Sequence, residues 1–496
     1  MRINANHMKS YLSNYYTQLI IIILVTAIPV FSHLNTLPIQ PYDEARVVTN
    51  SLELYLHKGN ILIPTYGNAP DMWNTKPPLL IWLQVLSMKI FGIDEIGVRL
   101  PSAFAALGTC LLLFWFCARK LNKPLLGLLT VIILVSSEGY IRIHSTRTAD
   151  YDALLTFFTT AYCLLFYLFL SFKKGKYILW SFLCMALAVL TKGIAALFFL
   201  PALGLFVLLR PSHYFIFRSK HFYIGLLAFI TVSLGYYFLR EQYNPGYIDT
   251  VMQNELGSRF NTVIEGHIGE RWFYFYRITD IGFKYWVWMV PFGCFIGLTT
   301  TSRRIRYFTL FTIMLVLCHF FVITQAETKI DWYDVPEYPF LSLLAGLFIF
   351  YLLRSVFVML HAHRKFRNKW LPHLFVFFFF TIPYYNIIES VSEPKTGPWL
   401  TENMNMGIFL KDARDGKHDV KNYTIVWDCN EPNVYWYLLA DRGKNNLSGR
   451  YSHNLSPGCT AAVFKESTKK YVEKTYFSTV VRNYNGVTVY KIYGHR

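Results

Sequence analysis

The sequence predicts a polytopic α-helical membrane protein, and three observations predict it. Of 496 residues, 54% are hydrophobic and only 16% charged, whereas a soluble chain carries about a quarter charged residues. Apolar runs recur from end to end, at 18–31, 111–116, 154–170 and 374–380, as expected of repeated membrane crossings. Basic residues gather in short clusters between those runs. The net charge of +18 is therefore the positive-inside pattern of membrane loops, and no nucleic-acid partner is expected.

The elements follow in order. Arg2 and Lys9 precede the first apolar run, and no small-x-small cleavage site follows at 28–33, so a retained signal-anchor helix is expected near 18–38. Residues 39–99 are too long for a simple connection and read as a first extracytoplasmic loop carrying amphipathic helices. Within 43–58, Ala45, Val48, Leu52 and Leu56 share one face, which predicts a helix lying along the membrane surface. Residues 77–91 read the same way, with Leu80, Leu83 and Ser87 at helical spacing. Further spans are expected at 100–118, 124–138, 151–171, 177–191, 194–209, 221–239, 282–300, 307–324, 338–357 and 370–386, eleven crossings in all.

Orientation comes from the basic clusters. Arg2/Lys9, Arg119/Lys120/Lys123, Lys173/Lys174/Lys176, Arg210/Arg218/Lys220, Arg303/Arg304/Arg306 and Arg364/Lys365/Arg367/Lys369 fall in every second connection. That alternation puts the N-terminus in the cytoplasm of a multi-pass inner-membrane protein. The remaining loops, which mix Asp, Glu, Arg, His, Trp and Tyr, then share the extracytoplasmic side. Residues 1–386 form the expected transmembrane domain and 387–496 a soluble extracytoplasmic α/β domain. In the latter, 422–427 and 461–464 read as strands, 432–439 as a helix, and 480–482 with 487–492 as a hairpin. Cys110, Cys117, Cys163, Cys184, Cys294 and Cys318 lie in apolar runs as small hydrophobes. Cys429 and Cys459 stand in the polar region, where an extracytoplasmic location permits a disulfide.

The chemistry-bearing residues concentrate in the non-basic loops. Asp43 and Glu44 open the first loop beside Arg46, and Lys76 follows about thirty residues later. Carboxylates suit a helix N-terminus, but the accompanying cations point to a site. Asp150 closes a loop with Arg142, His144 and Arg147, where it is equally a helix cap and a site residue, and Asp152 can share the capping. Lys192 stands in an apolar hairpin, Arg259 and His267 in a polar loop, and Lys329 and Tyr333 at a helix entrance.

These motifs carry a resemblance. Asp43-Glu44-Ala45-Arg46, Lys76-Pro77-Pro78-Leu79-Leu80 with Trp82, Phe91-Gly92 and Val98-Arg99-Leu100-Pro101-Ser102 come in the order of the GT-C membrane glycosyltransferases. Arg147-Thr148-Ala149-Asp150, Leu190-Thr191-Lys192-Gly193 and Thr328-Lys329-Ile330-Asp331-Trp332-Tyr333 continue the series over most of 40–350. The chain most resembles the aminoarabinose transferase and protein O-mannosyltransferase relatives. The resemblance implies a sugar donor on an undecaprenyl-type polyprenyl phosphate and an acceptor on lipid A, a protein or an envelope glycan, at the outer face of the membrane. It also implies that Asp43 is catalytic, with Glu44 and Asp150 as further catalytic candidates. Lys76, Arg46, Lys329, Tyr333, His267 and Arg259 are the candidate ligands of the donor phosphate. No cofactor is required, and a divalent metal ion on Asp43, Asp150 and His267 is the one candidate. One departure is Thr75, where many relatives place an acid before the lysine.

Two other classes compete. A lipid-linked-sugar flippase should place charges along a path through the bilayer, whereas here they collect on one face. A non-catalytic envelope assembly factor should tolerate Asp43→Asn.

Overall fold

The computed structural model describes residues 15–257, 266–362, 371–393, 401–427 and 431–496. The basic clusters at Arg2/Lys9 and 364–369, together with Arg259 and Cys429, lie outside the described residues.

Helix α1 (Tyr15–Phe31) enters the bundle, and α2 (Asp43–His57) and α3 (Leu79–Phe91) occupy the first long loop. Between them a two-stranded ribbon pairs β1 (Thr65–Tyr66) with β2 (Ala69–Pro70). The bundle continues through α4 (Glu95–Trp115), α5 (Pro124–Val135), α6 (Asp152–Phe172), α7 (Gly175–Lys192), α8 (Leu200–Leu208) and α9 (Lys220–Tyr243). Helices Met289–Thr299, Arg303–Gln325, Tyr338–Ala362 and Leu371–Ser392 complete it.

Each expected span carries helix. Among the described residues six helices are long and apolar enough to cross a membrane, so the chain is a multi-pass membrane protein. A seventh qualifies if α8 and the Pro211–Arg218 segment, bent by 112°, form one broken span. α1, α3, α5 and Met289–Thr299 are apolar but shorter. α4 to α7 pack around a core that includes Phe114, Phe116, Tyr162, Tyr167 and Leu168. α9 is different: it buries only Gly225, Ser233, Tyr236 and Arg240 and exposes Ile224, Leu227 and Phe238, the composition of a helix solvated by lipid.

After the Leu371–Ser392 helix, which runs past the expected boundary at 386, the chain forms a five-stranded sheet of order β4-β3-β5-β7-β6. β3 (Tyr423–Val426) pairs in parallel with β4 (Ser448–Arg450) and β5 (Thr460–Val463), and β7 (Val487–His495) pairs antiparallel with β5 and β6 (Tyr476–Tyr484). The expected hairpin is present with an Asn485-Gly486 turn and longer strands. Cys459 is half-buried in this sheet region.

The face of α2 does not lie on a membrane surface. Ala45, Val48 and Leu52, with Ile39, share one apolar cluster with Met406, Phe409, Val434 and Trp436 of the C-terminal unit. Polar bonds stitch the same seam: Tyr437 Oη accepts from Ile39 N at 3.2 Å and donates to Glu95 Oε1 at 2.5 Å, and Tyr435 Oη donates to Glu53 at 3.0 Å. Arg414 closes it with an ion pair to Glu95 at 2.6 Å. The amphipathic pattern was correct, but a protein surface takes the apolar stripe.

Candidate active site

A cavity of about 960 Å³, counted with its open mouth, lies where α2 and α6 begin and α7 and the Arg303–Gln325 helix end. Its size suits a small polar ligand with an apolar appendage. Asp43, Lys76, Asp150, Tyr333 and His267, five of the residues singled out by the sequence, line it together. Asp152, Lys192, Glu255, Trp73 and Trp332 line it as well.

Asp43 is the first residue of α2, and Tyr42 before it has φ 67°, a conformation that costs a non-glycine residue energy and persists only where neighbours hold it. Glu44 supplies that hold and faces away from the cavity. Its carboxylate is fully buried and pairs with Arg99 at 2.7 and 2.8 Å, while accepting from Gln40 N at 2.8 Å and Ala149 N at 2.9 Å. Arg99 also donates to the carbonyls of Leu34, Leu37 and Pro38. Glu44, expected beside Asp43 at the site, is instead placed off the cavity lining, where it ties together the neighbours of Asp43 and of Asp150.

The Lys76 loop is cast around Asp71. Arg46, expected at the donor phosphate, is instead committed to this carboxylate by two bonds of 2.7 and 2.8 Å and stacks 3.5 Å from the Tyr66 ring. Burial would raise the Asp71 carboxyl, but Arg46 and Asn50 outweigh it and hold it below the ordinary range. Asn74 donates to Asn50 at 2.8 Å and to Tyr151 Oη at 2.9 Å, which fixes the chain just before Lys76. Thr75 donates to Glu255 at 3.0 Å, and the same carboxylate lies 4.0 Å from the Lys76 ammonium.

On the opposite wall, Asp150 accepts from Thr148 at 2.6 Å and meets His144 Nδ1 at 3.1 Å. Burial would raise the Asp150 carboxyl, yet the imidazole and the hydroxyl bring it below its ordinary value. Burial likewise pulls His144 down, but Asp150 prevails and raises it. The His144 ring stacks on Trp332 at 4.0 Å. Next to this pair, Lys192 binds both oxygens of Asp152 at 2.6 and 2.7 Å. Gly193 follows with φ 55°, a turn that suits glycine and ends α7 so that the lysine points inward.

Lys329 is also a correction. Its ammonium is spent on the carbonyls of Thr324 and Ala326 at the end of the Arg303–Gln325 helix, and it does not line the cavity. Tyr333 does, with its ring 5.3 Å from the Lys192 ammonium. His267 lines the mouth, where its carbonyl accepts from Lys329 N at 3.1 Å. The sequence reading missed Asp152 and Glu255 as cavity residues. A buried acid at the start of α6 and a buried lysine at the end of α7 were a readable signal, because antiparallel neighbours bring those ends together. Nothing local marked Glu255. Among the described residues no group of three or more His, Cys, Asp or Glu side chains is arranged to hold a metal ion, so Asp43, Asp150 and His267 share a cavity without forming such a centre.

Comparison with known proteins agrees with this architecture. Residues 75–237 match the family model of dolichyl-phosphate-mannose-protein mannosyltransferases. An uncharacterised protein of Aquifex aeolicus is 27% identical over 60% of this chain and 58% of its own length. The undecaprenyl phosphate-alpha-4-amino-4-deoxy-L-arabinose arabinosyl transferase of Yersinia pestis is 25% identical over 66% of this chain and 57% of its own. The chain thus spans less than two thirds of these relatives. Among solved structures, ArnT of Cupriavidus metallidurans bound to undecaprenyl phosphate superposes with a TM-score of 0.70 at 15% identity, covering 95% of this chain and 97% of that one. The oligosaccharyltransferase of Archaeoglobus fulgidus superposes with a TM-score of 0.54 at 11% identity, over 96% and 70% of the two chains. The chain therefore shares the fold of these solved membrane proteins, and over residues 75–237 it resembles the dolichyl-phosphate-mannose-protein mannosyltransferases.

Proposed function

We propose that this protein is an inverting glycosyltransferase that moves a sugar from an undecaprenyl-type polyprenyl phosphate to an extracytoplasmic acceptor. The observation that carries the reading is one cavity holding Asp43 and Lys76 against two buried acid–base pairs, Asp150–His144 and Asp152–Lys192. The named activity of the Yersinia relative and the lipid in the Cupriavidus structure support the donor class. The basic-loop alternation supports eleven crossings, a cytoplasmic N-terminus and a cavity that faces outward.

Asp43 takes the proton of the acceptor hydroxyl as its oxygen attacks the anomeric carbon. The bond from that carbon to the phosphate oxygen breaks, and the departing phosphate keeps the electron pair. Lys76 stands where this growing negative charge can be met, which lowers the barrier more than it tightens ground-state binding. Asp152–Lys192 and Asp150–His144 are already neutralised pairs, so they shape and orient without demanding a further counter-charge. An acceptor phosphate would arrive ionised and would leave Asp43 to position rather than deprotonate.

The test is transfer by reconstituted protein supplied with polyprenyl-phosphate sugars and acceptors of the lipid A, peptide and glycan classes. Sugar transfer that disappears in Asp43→Asn, with donor binding retained, is the expected result. Near-normal transfer by Asp43→Asn would overturn the assignment.

A further inference from the structure

A second cleft, of about 530 Å³ with its open mouth, lies between the end of α5, the segment before Met289–Thr299 and the Leu371–Ser392 helix. It sits on the same side of the bundle as the catalytic cavity. Gly139 N donates to Gly282 O at 3.0 Å, and both glycines press on the Tyr338 phenol, leaving no room for a Cβ.

The polar atoms of the cleft divide by chemistry. One set can only accept: the Glu138 carboxylate, with the Ser136, Ser137 and Ser390 hydroxyls, whose protons are committed to the helix carbonyls of Ile132, Ile133 and Ile387. The other set donates. Lys284 lies at the mouth, 3.3 Å from Glu138. Tyr285 Oη accepts from Asn386 and keeps its own proton. Trp286 lines the cleft at 1% exposure, and its indole Nε1 has no hydrogen-bond partner among the described residues, a costly state for a buried donor unless something fills the site. Apolar surface continues outward from the mouth: Trp288 is 74% exposed, Phe292 58%, Ile382 63% and Tyr385 62%. Aromatic residues of this kind mark the level of lipid headgroups.

We infer that the cleft binds a zwitterionic glycerophospholipid with a primary ammonium, a phosphoethanolamine headgroup. The phosphate meets Lys284, Tyr285 and the Trp286 N–H, the ammonium meets Glu138 and the serine oxygens, and the acyl chains run down the exposed faces of the Met289–Thr299 and Leu371–Ser392 helices. Balanced charge at the mouth disfavours a net anion, and the accepting set of Glu138 and the serine oxygens suits N–H donors better than a quaternary ammonium. The inference stands apart from the glycosyl-transfer reading.

Native mass spectrometry of the delipidated protein, given equal amounts of phosphatidylethanolamine, phosphatidylglycerol and phosphatidylcholine, tests it. Phosphatidylethanolamine should be retained about tenfold over the other two, the factor given by ~1.4 kcal/mol. Glu138→Gln should abolish that preference, and Lys284→Gln should weaken all three lipids while Lys284→Arg restores them. Both side chains are more than a third exposed, so these variants keep the wild-type melting temperature. Glycerophosphoethanolamine, the same headgroup without acyl chains, should not displace the lipid. Equal retention of the three lipids, a preference unchanged in Glu138→Gln, or displacement by the chain-free headgroup at equal concentration would overturn the inference.

Discussion

The two walls of the candidate active-site cavity are built on different principles. The wall of α2, α6 and α7 places its acids by buried ion pairs: Glu44–Arg99 behind Asp43, His144 on Asp150 and Lys192 on Asp152. On the facing wall, Glu255, His267, Ile330, Trp332 and Tyr333 line the cavity, and Tyr274 Oη ties this side together by donating to Ile330 O at 3.1 Å. In the proposed reaction, the wall of paired charges is the one that would meet a proton or a phosphate, and the facing wall the one that would admit substrates.

Substitutions on the rigid wall should be the most severe. Asp43→Asn keeps the shape but removes the proton acceptor, and turnover should fall by about 10² to 10⁴, with donor affinity, measured by titration calorimetry, little changed. Glu44→Gln leaves Arg99 buried against a neutral partner. Breaking a buried pair in this way costs about 3–5 kcal/mol, so the melting temperature should drop markedly and activity with it, and Arg99→Met should behave alike. A milder Glu44 variant than Asp43 variant in both assays would erase the distinction between reacting and positioning acids.

Lys76→Ala touches both walls, through its pairing with Glu255, and should lower turnover and weaken the donor together, by about tenfold or more. A titration then probes the Asp150–His144 pair. His144 is raised from the ordinary 6.5, so its contribution is complete below that value and disappears as pH rises through its higher folded value. Asp150 is lowered from the ordinary 3.8, so its contribution is complete above that value and disappears only on strong acidification. Melting temperature should therefore hold between the ordinary values of the two groups, 3.8 and 6.5, and decline as pH rises above the latter, and His144→Gln should remove that decline. The smallest effect belongs to the loop wall. Glu255→Gln weakens one hydrogen bond from Thr75 and the 4.0 Å pairing with Lys76, worth about 1 kcal/mol, and should change KM a few-fold at unchanged melting temperature.

Much of this arrangement was legible beforehand. Membrane architecture follows from apolar runs and basic clusters because the bilayer leaves few alternatives. Asp43, Lys76 and Asp150 were recognisable because each heads or closes a loop beside charges that no surface helix needs. Arg46 and Lys329 were misread for one reason: a cation near a candidate site looks like a ligand until its counter-group is known, and Asp71 and two helix-end carbonyls are known only from the fold. The apolar stripe of α2 was read correctly and assigned the wrong neighbour, since periodicity gives the width of a buried face and not what covers it.

That neighbour has a consequence for how the protein is made. The helix that begins with Asp43 emerges early in synthesis, yet the residues that cover Ala45, Val48 and Leu52 are near the other end of the chain. Until Val434, Trp436 and their sheet have been translated and released outside the bilayer, the first loop is a greasy, half-finished surface in need of a chaperone or of lipid. The seam beside the cavity thus closes against the direction of translation: its first half is made about 350 residues before the half that covers it.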